Sequence, residues 1–122
     1  MRLIWTLDAR LPNPLCNWPV ADLTRTYLGK PDLLSPELGV FGEFDGADHR
    51  SRSRHRIDVR REQAFRDVGL EGFTLVGDDL DHPHLAVARM QSAVRRAEKS
   101  SHPRAWLLAT SPGPLVNGAQ MP

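Results

Sequence analysis

The chain has 122 residues, 40% of them hydrophobic and 25% charged, which is the bulk of one small α/β domain and excludes a two-domain enzyme. Sixteen basic residues against fifteen acidic ones leave a net charge of +1, so a generally basic nucleic-acid coat is excluded and any basic patch must be local. The single cysteine, Cys16, rules out an internal disulfide and a thiolate zinc cluster. The apolar runs fall far short of the roughly 18 residues that span a bilayer, and no signal-peptide pattern opens the chain. Composition therefore points to a soluble cytoplasmic protein with no membrane partner.

Ile4, Leu7 and Leu11 form a helical stripe that stops at Pro12 and Pro14, which predicts the last turns of a helix whose beginning is truncated at Met1. Leu15–Asp22 and Tyr27–Leu34, joined by a Thr24-Arg25-Thr26 turn, are expected to pair as a hairpin. Cys16, beside Trp18, is expected to be buried packing. Residues 39–45 (GVFGEFD) give a third strand, with Val40 and Phe44 on one face and Phe41, Glu43 and Asp45 on the other.

A polar stretch from Ser51 to Val68 carries Ile57, Ala64, Phe65 and Val68 at helical spacing and closes at Gly69. This amphipathic helix is expected to pack Ile57, Phe65 and Val68 against Val40 and Phe44. An exposed Phe44 together with a Glu43 buried in an apolar layer would put the strand in the wrong register and remove the site reading. A fourth strand follows at 72–77. Asp78, Asp79 and Asp81 then give an acidic cap before Pro83 and a last helix with Ala86, Met90, Ala93, Val94 and Ala97 on its buried stripe. After residue 99 the chain reads as a partly irregular tail, with a short strand at 105–109.

Chemistry concentrates between Lys30 and Arg61. Between Pro31 and Asp48 the charged residues are Asp32, Glu37, Glu43, Asp45 and Asp48, with no base among them. Glu43 and Asp45 point the same way on one strand, and Asp32 on the neighbouring strand reaches the same spot if the register allows. Three convergent carboxylates repel unless a cation lies between them, and a hard divalent ion such as Mg²⁺ or Mn²⁺ prefers such oxygens. The plain alternative is that strand-edge carboxylates face water.

Residues 49–61 (HRSRSRHRIDVRR) hold six arginines and two histidines against one acid. Arg52, Arg56 and Arg60 fall at i, i+4 and i+8 and make one stripe, with Arg61 elsewhere round the cylinder. The stripe can track a DNA backbone or be an ordinary solvated face. His49 and His55 are the candidate proton-transfer groups, and His49, just past the acidic strand, is the better placed. Acids for a metal beside arginines for phosphate is the arrangement that phosphodiester cleavage uses.

The segments Gly29-Lys30-Pro31-Asp32-Leu33-Leu34 and Gly42-Glu43-Phe44-Asp45-Gly46-Ala47-Asp48-His49-Arg50 precede Asp58 and Arg61 on the helix. A Phe73-Thr74-Leu75-Val76 strand follows. Together they resemble the nuclease-like C-terminal domains of actinobacterial proteins. Those domains are similar to very-short-patch (Vsr-like) repair endonucleases and belong with the PD-(D/E)xK fold. They occur behind an N-terminal winged-helix segment in chains resembling AbiEi-type antitoxins.

The resemblance covers residues 1–99 and implies an α/β, restriction-endonuclease-like mixed central sheet flanked by helices. It implies a Mg²⁺- or Mn²⁺-dependent DNA endonuclease in which Asp32 and Glu43 are metal ligands, and the residue reading adds Asp45 and His49 to the catalytic set. Arg50, Arg52, Arg56, Arg60 and Arg61 would then contact DNA. Two departures favour the alternative of a non-catalytic nucleic-acid-binding or regulatory module. Asp45 stands where the family pattern has lysine, and the first glutamate of the chain is Glu37, so the first helix lacks its acid.

Overall fold

The computed structural model describes residues 1–45 and 52–109, the side chains of 52–58 excepted. The architecture is mixed α/β with two sheets. A short π-helical segment, Ile4–Asp8, precedes strands β1 (Leu15–Cys16), β2 (Val20–Asp22), β3 (Tyr27–Gly29), β4 (Leu33–Ser35) and β5 (Val40–Asp45). Helix α1 (Arg52–Asp67), strand β6 (Glu71–Val76), helices α2 (Gly77–Asp81) and α3 (Pro83–Lys99), and strand β7 (Trp106–Leu108) complete the order. One sheet runs β1-β4-β5-β6 and the other β3-β2-β7. Every pairing is antiparallel except β5 with β6, which is parallel and needs the α1 crossover between its strands. Among the described residues no helix is long and apolar enough to cross a membrane.

The expected hairpin is present but broken into pieces. β2 and β3 pair as the inner half, whereas β1 and β4 pair in the other sheet. The breaks fall at Pro19 and Pro31, both fully buried. Proline has no N–H to give to a ladder, so each run must leave its sheet there. Asn17, with φ 53°, turns the chain between β1 and β2. Cys16, on the two-residue edge strand, is exposed rather than buried.

Both faces of the four-stranded sheet are covered, which is why its strands carry consecutive apolar residues. On one face Leu33, Val40, Phe73 and Leu75 meet Trp5 and the Ala86, Met90 and Ala93 stripe of α3. On the other, Leu34 and Phe41 meet Phe65 and Val68 of α1, together with Val20 and Leu70. The register sets Gly42 beside Phe73 and Gly72 beside Phe41. A Cβ on either glycine would overlap the neighbouring ring, so the glycines are what let both phenylalanines lie down on the sheet.

Helix α1 therefore packs against Phe41, not against Val40 and Phe44. The alternation along β5 is as the sequence implies, but the helix takes the opposite face. Val40 serves the α3 layer, and Phe44 lies near the strand end at 38% exposure. Ile57 is among the residues whose side chains lie outside the described set.

At its C-terminus α1 closes on Gly69 at φ 96°. Gly69 N–H donates to Arg66 O at 3.0 Å and Leu70 N–H to Phe65 O at 3.0 Å, the paired bonds of a Schellman cap. The start of α3 differs from the expected acidic cap. Pro83 occupies its first turn but His82 is the capping position, while the acids build α2, where Asp79 Oδ2 accepts Val76 N–H at 2.7 Å.

The N-terminal stripe is also corrected. Ala9 N–H bonds Ile4 O at 2.9 Å, an i→i−5 closure that widens the turn. Trp5 is fully buried, whereas Leu7 is 68% exposed. In the C-terminal segment, Trp106–Leu108 pairs antiparallel with β2, and Trp18 Nε1 donates to Ala109 O at 2.8 Å.

Candidate functional site

The register Leu33↔Gly42 between β4 and β5, carried one residue further, sets Asp32 directly across from Glu43. Directly opposed residues of an antiparallel pair share a face, and like charges in that relation repel. Here the shared face is the one covered by α1. Asp32 is half-buried, and its Oδ2 accepts the Phe44 N–H at 2.8 Å. That bond fixes the carboxylate across the end of β5.

Glu43 is buried at 8% exposure. Its Oε1 accepts from Arg61 Nη2 of α1 at 2.5 Å. Burial raises its carboxyl to about 7, against the pull of the Arg61 charge and with the adjacent Asp32 carboxylate pushing the same way as burial. Desolvation thus outweighs the ion pair, as it can when two charges leave water.

The combination of an exposed Phe44 and a buried Glu43 bears directly on the register. Glu43 is not in an apolar layer, since Arg61 and Asp32 are its partners. The burial of Glu43 follows from α1 lying on its face, and the same placement brings Arg61 to it.

Asp45 lies two residues beyond Glu43 on the same face, opposite Val76. Among the described residues, no group of three or more His, Cys, Asp or Glu side chains is arranged to hold a metal ion. The convergence expected of Asp32, Glu43 and Asp45 is therefore found for Asp32 and Glu43. Two carboxylates pressed together, one of them reluctant to ionise, fit a hard divalent cation by donor chemistry.

His49 and Arg50 lie outside the described residues. Arg52 and Arg56 are placed on the backbone of α1, with side chains outside the described set, and Arg60 is exposed on the same helix. Arg61, expected among the DNA contacts, instead turns inward to Glu43. The signal for this was in the spacing: Arg61 falls at i+4 from Ile57 and i−4 from Phe65, within the apolar stripe of α1. A cation in a buried stripe needs a buried anion. Its stem lies over Gly29, where a Cβ would stand 2.7 Å from Arg61 Cδ.

A cavity of about 440 Å³ opens elsewhere, between α1, β6 and α3, with Arg66, Arg89 and Arg96 on its walls. Each of these arginines is engaged by an acid: Arg66 by Glu62 at 3.6 Å, Arg89 by Asp79 at 3.4 Å and Arg96 by Glu71 at 3.3 Å. The cavity does not include Asp32 or Glu43. Comparison of the chain with family models, with curated proteins and with solved structures gives no match.

Proposed function

We propose that the chain is a restriction-endonuclease-like domain that hydrolyses phosphodiester bonds of DNA with a divalent metal ion. The observation that carries this reading is the cross-strand pair of Asp32 and Glu43, with burial and mutual repulsion holding Glu43 near 7. The strand order supports it: Asp32, just before β4, and Glu43, on β5, present the two acids, and α1 carries the basic stretch after them.

Asp32 and Glu43 would hold Mg²⁺ or Mn²⁺, and the ion when bound supplies charge stabilisation and a more acidic water. The residues of the chain supply the rest. The Phe44 N–H orients Asp32, Asp45 adds a third acid on the face that Asp32 and Glu43 share, and His49 serves as the proton-transfer group. Arg50, Arg52, Arg56 and Arg60 hold the phosphate backbone. Incubation of supercoiled plasmid with the protein in Mg²⁺ or Mn²⁺ tests the reading, with nicked circles expected and uncut plasmid across metals and pH contradicting it.

The second reading, a non-catalytic nucleic-acid-binding or regulatory module of the same fold, is favoured by one feature. Asp45 stands at the position of the family's lysine, and the cation next to Glu43, Arg61, is tied to it by an ion pair. Both readings require DNA binding through the helix. Replacing Arg52, Arg56 and Arg60 together by Ala is expected to flatten the slope of log K against log salt by about 0.9 for each phosphate no longer neutralised. Salt titration of duplex binding measures this, and an unchanged slope returns the stripe to a solvated face.

A further inference from the structure

We infer that Arg61 is an exchangeable counter-cation of the acidic pair, displaced from Glu43 when a divalent ion binds there. This inference rests on the metal reading of Asp32 and Glu43. Three features of the geometry carry it.

First, the Arg61 guanidinium already takes a lone pair that a cation would use, with Nη2 2.5 Å from Glu43 Oε1. It supplies one positive charge against the two carboxylates, so a divalent ion at the same place compensates them more fully. Second, the guanidinium is incompletely satisfied where it sits. Its Nε is buried without a hydrogen-bond partner, and a buried unmet donor weakens the pose that contains it. Third, the side chain has a way out. Arg61 is 33% exposed while the Glu43 side chain is 10% exposed, so the arginine bridges from the buried acid to solvent. Its aliphatic stem rests on Gly29, which puts no side chain in its path. When it swings outward on that stem, the guanidinium is released to the solvent it already borders.

The test follows the ¹⁵N-labelled Arg61 Nε–H of the full chain by NMR during titration with Mg²⁺ at about pH 8, alongside the side-chain carboxyl carbons of Asp32 and Glu43. A buried Nε–H exchanges slowly with water, and saturating Mg²⁺ is expected to move this signal and speed its exchange. If the carboxyl carbons report binding while Arg61 Nε–H stays unmoved and protected, the exchange is overturned and the metal site stands. If the carboxyl carbons do not respond, the metal reading falls and the exchange with it.

A second measurement uses Arg61→Met, which keeps the stem over Gly29 and removes the charge. Calorimetry with Mn²⁺ is expected to show binding tighter by about tenfold or more, as removal of a competing unit charge implies. Arg61→Lys should stay near the parent. Equal or weaker binding by Arg61→Met overturns the exchange. The NMR arm, run on the unsubstituted chain, decides the matter if that variant does not fold.

Discussion

Plasmid nicking by Asp32→Asn and by Glu43→Gln is expected to fall by about 10²- to 10³-fold or more, while affinity for duplex DNA is kept. Each substitution is isosteric and removes one negative charge from a pair whose repulsion is otherwise relieved by a cation. Asparagine retains an oxygen to accept the Phe44 N–H that Asp32 Oδ2 now accepts at 2.8 Å. Glutamine likewise retains an oxygen for Arg61. The fold therefore has no reason to fail, and what is lost is the electrostatic stabilisation of the developing charge, whose removal costs rates of this order in preorganised sites. In the proposed reading DNA affinity rests on the α1 arginines, so it should be unchanged or slightly higher, since a negative charge near the backbone has gone. A variant that nicks at the parental rate would show that these carboxylates do not serve the reaction. Parallel loss of nicking and DNA binding would show that they serve the fold instead.

The largest expected loss of stability follows Trp5→Ala. Trp5 is fully buried, stacks on Phe73 with ring centroids 5.9 Å apart at 12°, and donates Nε1–H to Pro12 O at 2.6 Å. Truncation opens a cavity against Phe73 and Met90 in the α3 layer, for which about 3–5 kcal/mol is typical. It also leaves the Pro12 carbonyl without its donor. Against a total of about 5–15 kcal/mol for a domain of this kind, such a loss moves the urea midpoint far toward zero. Leu7→Ala, on the same short segment but 68% exposed, is expected to change stability by no more than about 0.5 kcal/mol. Similar costs for the two would contradict the placement of the N-terminal segment.

The Trp5 and Leu7 contrast also marks how far the sequence carries. A helical stripe read at 3.6 residues per turn selects Leu7, and the i→i−5 closure of the segment selects Trp5 instead. Hydrophobic periodicity presumes a regular helix, and five residues are too few to reveal a departure from it. Strand alternation was more reliable. The faces of β5, the burial of Met90 and Ala93 on α3, and the glycine stop of α1 all follow from local rules.

Which sheet face α1 covers does not follow from local rules, because Val40 and Phe41 are equally suited to a core. Only the global arrangement sends one to α3 and the other to α1. The acidic pair was legible as two carboxylates on neighbouring strands, with the register left open. The prolines that interrupt the hairpin were visible, but the transfer of β1 and β4 into a different sheet from β2 and β3 is a non-local outcome. Arg61 reads from the sequence as a DNA contact; its spacing within the apolar stripe is the clue to its inward turn, yet its partner Glu43 lies 18 residues away in the chain.

The most direct measurement on the central claim is the titration of Glu43 by carboxyl-carbon NMR, with and without Mg²⁺. If Asp32 and Glu43 share one buried site that calls for a cation, Glu43 titrates near 7 in metal-free solution rather than at the ordinary 4.5. The folded state then holds this proton more tightly than the unfolded chain. The carboxyl's contribution to stability is accordingly full below 4.5 and is lost as pH rises through 7. Asp32→Asn should lower the titration point by removing the repelling neighbour, and Mg²⁺ should lower it further by favouring the ionised form. A Glu43 that titrates near 4.5, unmoved by Asp32→Asn or by Mg²⁺, would contradict the account.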